Sequence, residues 1–191
     1  GINLNYLKEK DISKVNIHGN SKYNNKYLPS TDSPTHKKLY EEYPEIGAIV
    51  HTHSIYATAW SQSCKSIPCL GTTHADFVID EIPITDKLQK KDVKKNYELN
   101  TAKYIIKKLN KMKIKPLQSP GILVSSHGPF AWGKNIKDAV KNAELLEYIA
   151  KLAYLTINIS KVNKIKKYLH HKHFERKNGK KSYYGQKKLK K

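Results

Sequence analysis

The chain has 191 residues, enough for one domain with a real core, and no Pro/Gly/Ser-rich linker divides it. Its net charge of +20 suggests a nucleic-acid partner, but of 36 basic residues only Arg176 is arginine, and specific readers of bases and phosphates lean on arginine's planar fork. Its longest apolar runs, such as 121–124, are far too short to cross a bilayer.

The lysine excess therefore reads as a solvated surface, densest in the tail 164–191, where weak and salt-sensitive contact with an acidic partner is the most it offers. Cys64 and Cys69 lack the spacing of a redox pair and have no further cysteines to build a zinc site with. Two free thiols fit a reducing compartment, so a cytoplasmic location is expected.

In chain order, residues 1–28 are polar, with short extended candidates around 12–17 and a turn at Asn24-Asn25. Ser33 reads as an N-cap with Pro34 at the first helical position. Leu39, Tyr40 and Tyr43 give that helix an apolar edge, and Pro44 stops it. The loop before it sets Ser30, Thr31 and Asp32 at a helix N-terminus, a place that suits an anion, although plain capping explains the same residues.

An apolar run, 46–50, leads into His51-Thr52-His53. If the run is a strand, residues i and i+2 share a face, so the two imidazoles project side by side. Such a pair is the usual start of a transition-metal site; the plain alternative is two polar histidines closing a strand. A short helix is expected over 56–62. In Gly71-Thr72-Thr73-His74-Ala75-Asp76, His74 and Asp76 share a face if the backbone is extended. His74 is then a rival metal ligand and Asp76 a candidate general acid/base, against a turn role for both.

Residues 83–112 read as a turn and one long amphipathic helix with Val93, Tyr97, Ala102, Ile105 and Leu109 close to one face. Glu98, beside that face, is either a solvated carboxylate or a partner for the outer nitrogen of a ligand histidine. A second buried strand, 120–124, is followed by His127, which would join His51 and His53 if the two strands are neighbours. Residues 130–133 read as a turn with aromatic packing. Asn135, with Asp138 three residues on, caps a helix whose Ala139, Val140, Ala143, Leu146, Ile149, Leu152 and Ala153 read as core. A basic helix over 162–174 carries His170, His171 and His173, and Tyr183 and Tyr184 sit in a glycine-flanked tail with no core role.

Five of these pieces together resemble the class II aldolase/adducin-like superfamily, and within it the sugar-phosphate 4-epimerase branch. They are the motif 29–36, His51-Thr52-His53-Ser54, the motif 71–76, the run 126–133 and Tyr183-Tyr184-Gly185-Gln186. The likeness runs the length of the chain, in order. It implies a single domain over 1–191, an α/β fold of three layers, α/β/α, around a largely antiparallel central sheet, with 164–191 as a basic C-terminal helix and tail. It implies one zinc ion per subunit held by His51, His53 and His127, with Asp32 as a further ligand or near-ligand. Ser30, Thr31 and Gly1 match substrate-phosphate contacts, Asp76 and Tyr184 match the two acid/base groups, and His173 matches a position near the site, with Thr72 and Glu98 expected as further supporting residues. The partners implied are a small phosphorylated sugar and further copies of the chain, in a homotetramer with active sites between subunits, Tyr184 reaching in from a neighbour.

The activity implied is interconversion of L-ribulose 5-phosphate and D-xylulose 5-phosphate by breaking and remaking the C3–C4 bond. Two alternatives share the fold: an aldolase acting on fuculose or rhamnulose phosphates, which carries a glutamate near the position of Asp32, and a non-catalytic adducin-like module without metal. Thr31 stands where the branch usually has serine. The branch also has a segment ahead of Gly1 that supplies an asparagine and a lysine to the substrate and part of the sheet. The chain is therefore expected to be N-terminally truncated, with an incomplete phosphate site and an unpaired sheet edge.

Overall fold

The computed structural model describes residues 4–18, 28–179 and 182. The expected turn at 24–25 lies outside them. No extended segment forms at 12–17; two single-turn helices, Leu4–Tyr6 and Glu9–Asp11, precede it, and its residues pair with no strand.

Helix α1 spans Ser33–Glu42. Its N-cap is Asp32, one residue earlier than the Ser-Pro signal predicts, and Pro34 lies in the first turn where its missing N–H costs nothing. Strand β1 (Ala48–His51) follows, then α2 (Ile55–Gln62). The segment around Asp76 is not extended: Thr72–Ala75 forms a single turn of helix, α3, with Asp76 as its C-cap. The expected long helix is broken in two, α4 (Lys90–Lys94) and α5 (Tyr97–Met112), because Asn96 between them takes a left-handed backbone at φ 56°. Val93 therefore leaves the apolar face and is exposed.

Strand β2 (Gly121–Leu123) and strand β3 (Pro129–Gly133) complete an antiparallel sheet of order β1-β3-β2. The expected turn at 130–133 is thus the central strand, and all five residues of β3 are buried. A strand covered on both faces carries no polar alternation, and here Pro and Gly bound it, so it reads locally as a turn. Helix α6 (Ile136–Ile159) is capped as expected, Asn135 accepting the Asp138 N–H at 2.9 Å. Of its predicted core positions, Val140 and Leu152 instead face solvent. The basic helix, α7, lies at Lys167–Asn178, some residues later than expected.

The sheet separates two apolar clusters. Ile122, Val124, Phe130 and Trp132 pack with Leu39, Ala102, Ile105 and Leu109 of α1 and α5. Leu123 packs the other way, with Ala57 of α2 and Leu146, Ile149, Ala150 and Ala153 of α6. Alternation along 122–124 sends neighbouring side chains to opposite faces, giving three layers, α/β/α, around an antiparallel sheet. The contact is close where β3 ends: a Cβ on Gly133 would lie 2.5 Å from the Cβ of Asp138 and 2.6 Å from the Ala139 nitrogen, so only glycine lets the strand turn into α6 there. Among the described residues no helix is long and apolar enough to cross a membrane.

His74, the rival metal ligand, lies outside the one group of three metal-capable side chains among the described residues. It is 4% exposed in α3, its Nε2 has no hydrogen-bond partner, and burial, reinforced by His170 and Lys164 and opposed by Glu81, pushes its pKa down to about 4. The unfolded chain, with an ordinary histidine near 6.5, takes up that proton first. The stabilisation by neutral His74 is therefore whole above about pH 6.5 and lost as pH falls towards 4, on the order of 3 kcal/mol in all. Thermal unfolding followed across this window should fall more steeply for the wild type than for His74→Gln; parallel curves would contradict it.

Candidate metal centre

Three imidazoles meet at one end of the sheet. His51 is the last residue of β1, His53 lies just beyond the strand, and His127 sits in the tight turn joining β2 to β3. That turn is closed by the Val124 N–H on the Gly128 carbonyl at 2.9 Å and the His127 N–H on the Val124 carbonyl at 3.1 Å. Ser126 reverses the chain at φ 60°. Strands β1 and β2 are not neighbours: β3 lies between them, with His51 opposite Phe130, and the turn ahead of β3 brings His127 over the end of β1.

The ring centroids are 5.1 Å apart for His51–His53, 4.8 Å for His51–His127 and 5.0 Å for His53–His127. One ligand nitrogen from each ring lies within 4.8 Å of the others. Their spacing depends on a missing side chain. A Cβ on Gly128 would lie 2.8 Å from the Thr52 carbonyl oxygen, 3.4 Å from His53 Cδ2 and 3.5 Å from His51 Cε1.

The rings are oriented from behind. His51 Nδ1 lies 2.9 Å from the Pro129 carbonyl oxygen, which can only accept, so Nδ1 carries the proton and Nε2 keeps its lone pair. That Nε2 is buried and has no hydrogen-bond partner. The ring also stacks on Phe130, centroids 4.1 Å apart at 17°. His127 Nδ1 lies 3.2 Å from the Tyr97 hydroxyl. Burial lowers the pKa of His51, against the Pro129 bond and Asp32, which raise it; burial and the neighbouring His51 and His53 lower that of His127. Both rings are thereby kept neutral, the form that binds metal. An unprotonated, buried, unpaired nitrogen within a set of three imidazoles fits a borderline divalent ion such as zinc.

Asp32 stands at the edge of this cluster, Oδ2 3.9 Å from His51 Nε2. Although it is the N-cap of α1, its side chain makes no capping bond, so the carboxylate is free to face the histidines. Ser30 and Thr31 belong to the same loop; Ser30 Oγ accepts the Asp32 N–H at 3.2 Å, and Thr31 is exposed. Gly1 and Tyr184, expected at the substrate, lie outside the described residues.

The other expected residues are elsewhere. Asp76 shares a groove with Gly133, Lys134 and Asp138, at the end of β3 opposite to Phe130. Phe130 and Gly133 are three steps apart along the strand, about 10 Å. The carboxylate is held by α7: Arg176 donates to Oδ2 at 2.6 Å, and His173 Nδ1 lies 3.2 Å from Oδ1. Thr72 is the exposed first residue of α3, and its carbonyl accepts the Asp76 N–H at 2.9 Å. Glu98 contacts α1 through its backbone, its carbonyl accepting the Thr35 hydroxyl at 2.6 Å. The outer nitrogen of His127 goes instead to its neighbour Tyr97, read from the sequence as core. The helical pattern placed Tyr97 and Glu98 together but carries no sign that a phenol and not the carboxylate turns towards His127. Nor does it reveal Phe130 as the platform beneath His51.

The fold and this histidine cluster together define a class, and the sequence agrees. Residues 1–154 match the family described as Class II Aldolase and Adducin N-terminal domain, and the chain belongs to that family. Among its relatives are the L-ribulose-5-phosphate 4-epimerases UlaF of Salmonella paratyphi B (strain ATCC BAA-1250 / SPB7) and Salmonella paratyphi A (strain ATCC 9150 / SARB42). Each is 46% identical over 188 residues, 98% of this chain and 81% of theirs. Among solved structures, an L-fuculose 1-phosphate aldolase superposes with a TM-score of 0.73 at 24% identity, over 92% of this chain and 76% of the other. The L-fuculose-1-phosphate aldolase of Thermus thermophilus does so with a TM-score of 0.61 at 19% identity, over 82% and 75%. At these identities the two aldolases speak for the fold alone.

Proposed function

We propose that the protein is a zinc-dependent epimerase that interconverts L-ribulose 5-phosphate and D-xylulose 5-phosphate. The observation that carries this reading is the cluster of His51, His53 and His127, with its buried, unprotonated Nε2 on His51, in a chain 46% identical to proteins named as L-ribulose-5-phosphate 4-epimerases. His51, His53 and His127 would hold the ion, and Asp32 would add a carboxylate at its edge. An ion held there would supply Lewis acidity to the ketose, the chemistry that cleavage and re-formation of the C3–C4 bond requires.

The remaining work falls to the chain. Ser30 and Thr31 take the substrate phosphate beside the N-terminus of α1, where hydroxyls and backbone N–H groups meet an anion favourably, and Gly1 is a further phosphate contact by the family likeness alone. Inverting C4 needs the carbonyl of the cleaved fragment to be re-attacked on its other face, so a proton is handled on each side. Asp76 and Tyr184 take these two roles. A single copy keeps Asp76 at the far end of β3 from the histidines, which supports active sites built between subunits of a homotetramer. A cytoplasmic location accords with two free cysteines, Cys64 and Cys69.

The test is direct. Purified protein supplied with L-ribulose 5-phosphate should form D-xylulose 5-phosphate, lose that activity on treatment with a chelator and regain it with zinc. Release of dihydroxyacetone without inversion at C4 would move the chain to the aldolases.

A further inference from the structure

His51 and His127 each have a partner behind the ring. His53 is exposed, and among the described residues its ring has no hydrogen bond, so beyond its edge contacts with His51 and His127 its direction comes from the backbone that carries it. That backbone runs from His53 through Ser54 straight into α2, which begins at Ile55. The first turn of a helix has N–H groups with no partner inside the helix, and the N-cap side chain normally accepts from them. Ser54 does not: as N-cap it makes no side-chain cap bond, and its Oγ is buried without a partner.

The cap comes from another helix. Glu147 of α6 accepts the Tyr56 N–H on Oε1 and the Ala57 N–H on Oε2, each at 2.9 Å. A carboxylate at this place satisfies two unpaired donors and lies at the positive end of the helix dipole. One turn on, Trp60 Nε1 donates to the Ala150 carbonyl at 3.1 Å, so α2 is tied to α6 twice. Thr58 N–H on the Ser54 carbonyl, at 2.9 Å, closes the turn. The start of α2 is thus fixed in space by α6, two residues after a ligand.

We propose that Glu147 is a positioning residue of the metal centre: by capping α2 from α6 it fixes the direction in which His53 presents its imidazole. The inference rests on the metal-binding reading above. It predicts an effect on the geometry of the bound ion, not only on the stability of the fold.

The full chain is stripped of metal and reloaded with cobalt(II) for its visible absorption, or titrated with zinc against a competing chelator, while thermal unfolding of the metal-free form is recorded. Glu147→Gln keeps the length but offers one acceptor where there were two. It should weaken zinc about tenfold or more, the usual cost of losing a residue that orients a ligand, and change the cobalt absorption. Glu147→Asp keeps the charge one methylene further back and should fall between Gln and wild type. Glu144→Gln, exposed on the same helix, should change neither. Wild-type zinc affinity and an unchanged cobalt spectrum in both Glu147 variants would overturn the proposal, whatever happens to the unfolding temperature. If the wild type itself takes up no zinc or cobalt, the metal reading falls first and this one with it.

Discussion

His51→Ala is expected to give a folded protein that retains no metal and has lost epimerase turnover by roughly 10³-fold or more, the equivalent of the several kcal/mol that a Lewis acid contributes. Of the three histidines His51 is held most completely. Its Nδ1 is engaged by Pro129, its ring is stacked on Phe130, and its Nε2 is buried with nothing to bond. Alanine leaves two imidazoles, and neither Tyr97 nor Asp32 offers a third nitrogen. The loss to the fold is smaller, since the stack on Phe130 is worth about 0.5–1.5 kcal/mol. Metal analysis and circular dichroism on the same sample separate the two effects. A variant that keeps about one zinc per chain would remove His51 from the site.

Asp76→Asn should behave in the opposite way: metal content unchanged, turnover down about 10²–10⁴-fold, the range for losing a positioned acid/base group. Metal content is kept because the carboxylate touches α7, through Arg176 and His173, and makes no bond to His51, His53 or His127. Asparagine preserves the volume and can still accept from Arg176, so the α3–α7 contact survives. Steady-state kinetics should show the loss in kcat with KM little changed, since in the proposed role the group moves a proton and does not hold the phosphate. Zinc loss in this variant, or turnover close to wild type, would count against the role.

Much of the site was legible in the sequence because it depends on local geometry. His51 and His53 announce themselves by period-two spacing at the end of an apolar run, and Asn135 with Asp138 marks the start of α6. What failed depends on tertiary burial or on single backbone angles. Residues 130–133 form the central strand, and nothing but its cover on both sides distinguishes it from a turn. The split between α4 and α5 rests on the left-handed backbone of one asparagine, Asn96. Long-range partners were illegible in principle. Tyr97 reaches His127 across 30 residues and Glu147 reaches α2 across 90, and neither residue differs in its own helix from an ordinary amphipathic position. Asp76 stands out in the sequence by its residue type and motif, yet its neighbours Arg176 and His173 lie 100 and 97 residues away.

The placement of the histidines on two separate elements has a thermodynamic side. His51 and His53 belong to β1 and its immediate continuation, the outer strand of the described sheet, and His127 to the turn between its other two strands. An ion gripping all three closes a loop of some 75 residues and can bind only while β1 stays paired to β3. Occupancy and strand pairing are then one linked equilibrium. With free zinc a thousandfold above its dissociation constant, opening of β1 becomes harder by about 4 kcal/mol, a large share of the roughly 5–15 kcal/mol that holds an ordinary domain together. The same three side chains that would activate the sugar would also serve as the clasp of the sheet.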